Sequence, residues 1–181
     1  MEKESKNQLI KFVLKVTYAH TISWFVAGVI AVYLMSYEQW FLTEPMSFMR
    51  PTTEPIIRLG MALQIFRGVL VGFVLYPVRK VFFEERLGYW KLGLVILGLS
   101  VVATFGPAPG SFDGYIFTNL PLSMHLACYP EALLWISSFI GILYISNKYE
   151  NKKIARIIPM VFTILIVLMG IMSYMEAKGY F

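Results

Sequence analysis

Residues 56–76 read IIRLGMALQIFRGVLVGFVLY. As an α-helix this stretch reaches about 31 Å, the thickness of a bilayer's hydrocarbon core. Yet Gln64 and Arg67 stand at its middle. A guanidinium at that depth costs at least about 2.5–3.5 kcal/mol on insertion scales, so it is expected to face other helices or a wet cavity. At about 100° per residue, Gly60, Gln64, Arg67 and Val71 share one narrow face. Gly68 and Gly72 form a GxxxG strip beside it, suited to close helix contact where lipid offers no hydrophobic drive. Thr53, Glu54 and Pro55 supply a helix start: a capping hydroxyl, an early carboxylate and a first-turn proline.

The rest of the chain agrees with a membrane setting. Of 181 residues, 57% are hydrophobic and 15% charged, against about 45–50% and 25% in soluble domains. That excess of apolar surface does not fit inside one soluble core. A formal charge of +5 suits nucleic acid in a soluble protein. Here the cations cluster between apolar runs, which is a topology signal, so no nucleic-acid partner is expected. The single Cys128 excludes an intrachain disulfide and a cysteine-based metal site.

Four further apolar runs lie at about 16–36, 89–105, 122–146 and 157–175. The expectation is an all-α, polytopic transmembrane bundle of about five spans, forming one integral membrane domain over 1–181. The first run follows basic residues, as in a signal peptide. It is longer than the usual h-region of about 7–15 residues and lacks a cleavage site before Tyr37, so it is read as a retained helix. Ala27 and Ala31 there, and Ser137, Ser138 and Gly141 in the fourth run, are small residues suited to helix packing. Helix 2 is expected to continue past Pro77 as an interfacial extension.

Lys and Arg alternate along the chain. The N-terminal segment holds four and the first loop only Arg50. The second loop holds Arg79, Lys80 and Arg86, and the third none. The fourth holds Lys148, Lys152, Lys153 and Arg156, and the tail only Lys178. The positive-inside rule then places the N-terminus and loops two and four in the cytoplasm, in a cytoplasmic (inner) membrane, and the C-terminus outside.

Intramembrane polar residues are the functional candidates. Pro130 allows two readings of the fourth helix. In one the helix runs from Leu122 through the proline, and Glu131 lies mid-membrane opposite Arg67. In the other the helix begins at Pro130, PLSMHLACY is a re-entrant piece, and Arg58 competes for Glu131. The first is preferred, because Leu122 to Tyr129 is apolar and helix-compatible. His20 and His125 sit at opposite predicted depths, so neither a shared haem nor a two-histidine metal site fits. Each is expected to be a buried, hydrogen-bonded histidine. No cofactor and no metal is expected. The Gly/Pro-rich loop GPAPGSFDGYIFTNLP, with Asp113, either covers a cavity between helices 2 and 4 or simply joins helices. No Walker loop, HExxH or GxSxG is present.

The leading expectation is a protein that binds or transports a small anionic solute in an outward-facing cavity between helices 2 and 4. Its ligand-binding candidates are Gln64, Arg67, His125, Glu131 and Asp113. One alternative is a membrane-embedded enzyme on a lipid-linked substrate, with Glu131 or His125 as base and Arg67 on a phosphate or oxyanion. The other is a non-catalytic scaffold or effector subunit, in which Arg67 and Glu131 form an assembly lock. Expected partners are membrane lipid, a small-molecule ligand, and a second copy or a partner membrane subunit.

Overall fold

Apolar runs bounded by prolines and charges become helices in the computed structural model, which describes residues 2–46 and 48–180. In chain order these are α1 (Glu2–Met35), α2 (Tyr37–Trp40), α3 (Pro55–Leu75), α4 (Arg79–Phe83), α5 (Gly88–Leu97), α6 (Phe112–Phe117), α7 (Leu122–Lys148) and α8 (Lys153–Ala177). A 3₁₀ turn covers Glu44–Met46, and α5 runs on into a π-helical segment, Gly98–Val102. Among the described residues, α1, α3, α7 and α8 are long and apolar enough to cross a bilayer.

The remaining expected span differs. Ten α-helical and five π-helical residues reach only about 22 Å, short of the hydrocarbon thickness of about 30 Å. The chain nevertheless changes ends here. Tyr89 OH accepts a hydrogen bond of 2.7 Å from Asn147 Nδ2, at the far end of α7, while α7 begins at Leu122. The crossing is therefore completed by irregular backbone after Val102, including the turn glycines Gly106 and Gly110 at φ +94° and +82°. Non-helical backbone at membrane depth is tolerated only inside protein or along a cavity.

The contacts at each end agree with the charge alternation. Lys15 hydrogen bonds Asn147 and lies 3.5 Å from Glu150. Edge-to-face rings link Phe12 to Tyr76 and Phe83, Phe83 to Tyr89, and Tyr89 to Tyr144, with centroids 5.4–5.6 Å apart. The N-terminal part of α1, the α3–α5 connection and the α7–α8 loop thus share one end. At the other end Arg58, near the start of α3, lies 3.8 Å from Glu176 near the end of α8.

Helix α1 is the hub. Half of its membrane-length window is buried (50%), against 11–17% for the other three long helices. The GxxxG strip does pack: a Cβ on Gly68 would stand 2.9 Å from Thr17 Cα, and one on Gly72 3.0 Å from Val13 Cα. Ala27 and Ala31 are buried as expected. Ser137 and Gly141 do not make the expected close helix contact. Ser137 is exposed and donates to the carbonyl of Leu133 in its own helix, and nothing lies within 4 Å of a Cβ on Gly141. The close approach of α8 is made instead at Gly170, whose Cβ would meet Ala62 N at 3.0 Å.

Three boundaries moved. The basic N-terminal segment is part of α1, because lysines do not interrupt a helix outside the bilayer. Past Pro77 the helix breaks and resumes as the separate α4, since proline offers no N–H to continue the ladder. At the start of α3 the N-cap is Glu54, not Thr53, and it makes no side-chain cap; its carboxylate instead accepts a 2.7 Å bond from Arg50.

Candidate functional site

Helix α7 runs unbroken through Pro130. Proline cannot donate to the Leu126 carbonyl, yet the apolar flanks keep the helix going. Continuity places Cys128, Glu131, Ala132 and Trp135 on one face, since residues three and four apart stack. All four line a cavity of about 230 Å³. Helix α1 adds Trp24 and Ala27, the π-helical segment adds Ser100 and Val101, and the irregular crossing adds Thr104, Ala108 and Pro109.

Arg67 enters from α3. It lies about 18 Å along the helix from Pro55, near the middle of the span. Its guanidinium carbon is 6.0 Å from the Trp135 ring centroid, at the limit of a cation–π contact. Arg67 stays exposed on the cavity side of α3 instead of entering the packed core. The cavity therefore joins a guanidinium, a carboxylate, two indoles and two hydroxyls at bilayer depth.

Gln64, one turn before Arg67, serves a different neighbour. Its Oε1 lies 3.1 Å from Nε2 of His20, and its own amide donates to Gly60 O at 3.4 Å. The pair links α1 to α3 at the level of Arg67. His20 is fully buried (0% exposed) and meets Trp135 and Phe139 edge-on at 5.8 and 6.4 Å. Gln64, His20, Trp135 and Arg67 thus form one continuous layer across α3, α1 and α7. His20 Nδ1 has no hydrogen-bond partner among the described residues.

His125 works on the loop. It is buried (3% exposed), and its Nδ1 accepts a 3.1 Å bond from Gly110 N–H. Tyr129, one turn along, donates from its hydroxyl to Gly110 O at 2.8 Å. The left-handed turn at Gly110 is thereby held by α7 through both of its backbone groups. Ser111 then caps α6 by accepting from Gly114 N–H at 2.9 Å. Both histidines are buried and hydrogen-bonded, as the sequence suggests. Asp113, half-buried in the first turn of α6, does not line the cavity.

Of the five candidates, then, Arg67 and Glu131 line one cavity, Gln64 stands behind it, and His125 and Asp113 belong to the loop and its clasp. Arg58 faces Glu176 at 3.8 Å. Sequence reasoning missed Trp135, Trp24, Ser100 and Thr104. Trp135 carried a usable signal, because on a helix continuous through Pro130, the preferred of the two readings, it follows Glu131 by four residues. Ser100 and Thr104 carried none, since their placement depends on the π-helical turn.

No protein-family model matches this chain, and no solved structure matches it. It is similar to the probable ABC transporter permease YtrD of Bacillus subtilis (strain 168), with 25% identity over 143 residues, covering 63% of this chain. The chain spans 42% of that permease's length. With its long apolar helices, the chain is a multi-pass membrane protein built as a helical bundle.

Proposed function

We propose that this protein is a permease-like, transport-type membrane subunit that holds the anionic group of a small solute between α3 and α7. The observation that carries the reading is the joint presence of Arg67 and Glu131 in one central cavity, with Trp135 beneath the guanidinium. Arg67 supplies a fork of donors for a carboxylate or phosphate. Glu131 offsets its charge when the site is empty. The likeness to a probable permease supports transport as the purpose of such a cavity. The charge alternation supports a cytoplasmic membrane with the N-terminus inside and the cavity opening outward. The likeness to a permease also supports assembly with a second copy or a partner membrane subunit.

Thermal unfolding of the protein in mild detergent, with acetate, phosphate and citrate as probes against chloride at matched ionic strength, tests the site. At least one probe should raise the Tm. Arg67→Lys should weaken that shift and Arg67→Gln should abolish it, both with little change in the Tm without probe. The proposal fails if no probe stabilises the wild type, or if Arg67→Gln keeps the full shift. The exchange Arg67→Glu with Glu131→Arg adds a second arm. Full recovery of the probe shift by the exchange would mark the pair as an assembly lock.

A further inference from the structure

A second, larger cavity lies away from the central site. It occupies about 750 Å³ between α1 and the first turns of α8, at the end of the bundle that holds the N-terminus. Lys11, Lys15, Lys153 and Arg156 line it, against the single carboxylate of Glu150. Lys15 is engaged by Glu150 and Asn147. Lys11, Lys153 and Arg156 have no ion-pair partner among the described residues. The neighbouring loop cations differ, for Lys148 lies over the Tyr144 and Tyr149 rings and Lys152 over Tyr149, at 4.9–5.7 Å.

The groove is graded along its depth. Both helices enter from the same end, and each presents cations first and apolar side chains deeper. On α1 Lys11 and Lys15 give way to Tyr18, with Leu14 beside them. On α8 Lys153 and Arg156 give way to Ile157 and Met160. The eight residues from Lys153 to Met160 cover about 10 Å of depth. Leu14, Ile157 and Met160 are 45%, 54% and 41% exposed, so an apolar wall lies open beneath a cluster of cations. An inorganic anion would use the cations alone and leave that wall uncovered. A phospholipid uses both, with phosphate at the cations and the upper carbons of its chains on the wall. Basic pockets between membrane helices recognise anionic headgroups on these grounds.

We propose that the groove between α1 and α8 is a binding site for one anionic phospholipid. Its phosphate is held by Lys11, Lys153 and Arg156, and its acyl chains lie along Leu14, Ile157 and Met160. The site is independent of Arg67, so the failure of either proposal leaves the other standing.

The test is lipid retention and stability of the full chain. Native mass spectrometry after exchange into mild detergent with equimolar phosphatidylglycerol and phosphatidylcholine should show one retained phosphatidylglycerol. The triple variant Lys11→Gln, Lys153→Gln and Arg156→Gln should bind it about a hundredfold more weakly, at about fivefold per cation removed. Phosphatidylglycerol should raise the wild-type Tm by several degrees, and phosphatidylcholine or inorganic phosphate at the same concentration should not. Equal retention of the two lipids overturns the proposal, as does an undiminished shift in the triple variant. A shift reproduced by inorganic phosphate alone assigns the groove to a free anion and overturns it too. If the triple variant does not fold, Arg156→Gln alone should still lose about fivefold, and no loss has the same overturning force.

Discussion

Helices α1 and α8 are built by opposite rules. α8 is the most apolar of the four long helices, and only 17% of its membrane-length window is buried. α1 is the least apolar, and half of its window is buried. Its sheltered face includes Thr17, His20, Thr21 and Ser23. In water the greasiest segment would hold the centre. In lipid the hydrocarbon tails are as apolar as leucine, so no hydrophobic drive gathers helices together. What needs shelter is the polar side chain and the backbone that must come close. The hub is therefore the helix that lipid would solvate worst.

Four substitutions sharpen this contrast. Gly68→Ile should do most damage. Its Cβ alone would stand 2.9 Å from the Thr17 backbone, and forcing α3 away from α1 should cost about 2–3 kcal/mol, read by unfolding in mixed micelles. Gly110→Ala comes next. A left-handed residue with a Cβ costs about 1–2 kcal/mol, and at φ +82° the expected sign is faster proteolysis across 103–120. Gln64→Leu removes the partner of His20 and should cost about 0.6–1 kcal/mol, the usual scale for a hydrogen bond between membrane helices. Replacing His20 by Phe in that background should then recover part of the loss. Leu165→Ala, on the outer face of α8 and 50% exposed, should cost less than about 0.5 kcal/mol in a bilayer. If its cost matches that of Gly68→Ile, the contrast between the two helices is broken.

The apolar runs and the charge alternation could be read from the residues, because each rests on a property that survives any packing; the continuity of α7 through Pro130 is one of two readings the residues allow, and only the backbone decides it. The GxxxG strip packs as the residues suggest, but the like-spaced Ser137 and Gly141 do not, so the spacing alone does not tell a packed strip from an open one. The central place of α1 could not be read from the residues. Five apolar runs look alike until their contacts are known, and His20 taken alone gives no hint that Gln64 will answer it. The shortness of α5 was hidden for a different reason. Residues 89–105 have the composition of a full span, and only the backbone shows a π-helical segment closed by Ala103 N–H on Gly98 O at 2.8 Å. For the site, Arg67 and Glu131 stood out as charges inside apolar runs. Their aromatic neighbours did not, since tryptophan is ordinary in a membrane helix.

The abbreviated α5 bears on how the chain is threaded into lipid. A segment of about 22 Å gains too little by itself to hold its place, and the irregular backbone after Val102 would be exposed to acyl tails. That backbone finds shelter only once α7 is alongside, with His125 and Tyr129 gripping Gly110. The third crossing is thus secured by a helix made after it. The expected consequence during synthesis is that the stretch from Gly88 to Pro121 enters the bilayer together with the following segment, which crosslinking of stalled chains to the insertion machinery would check.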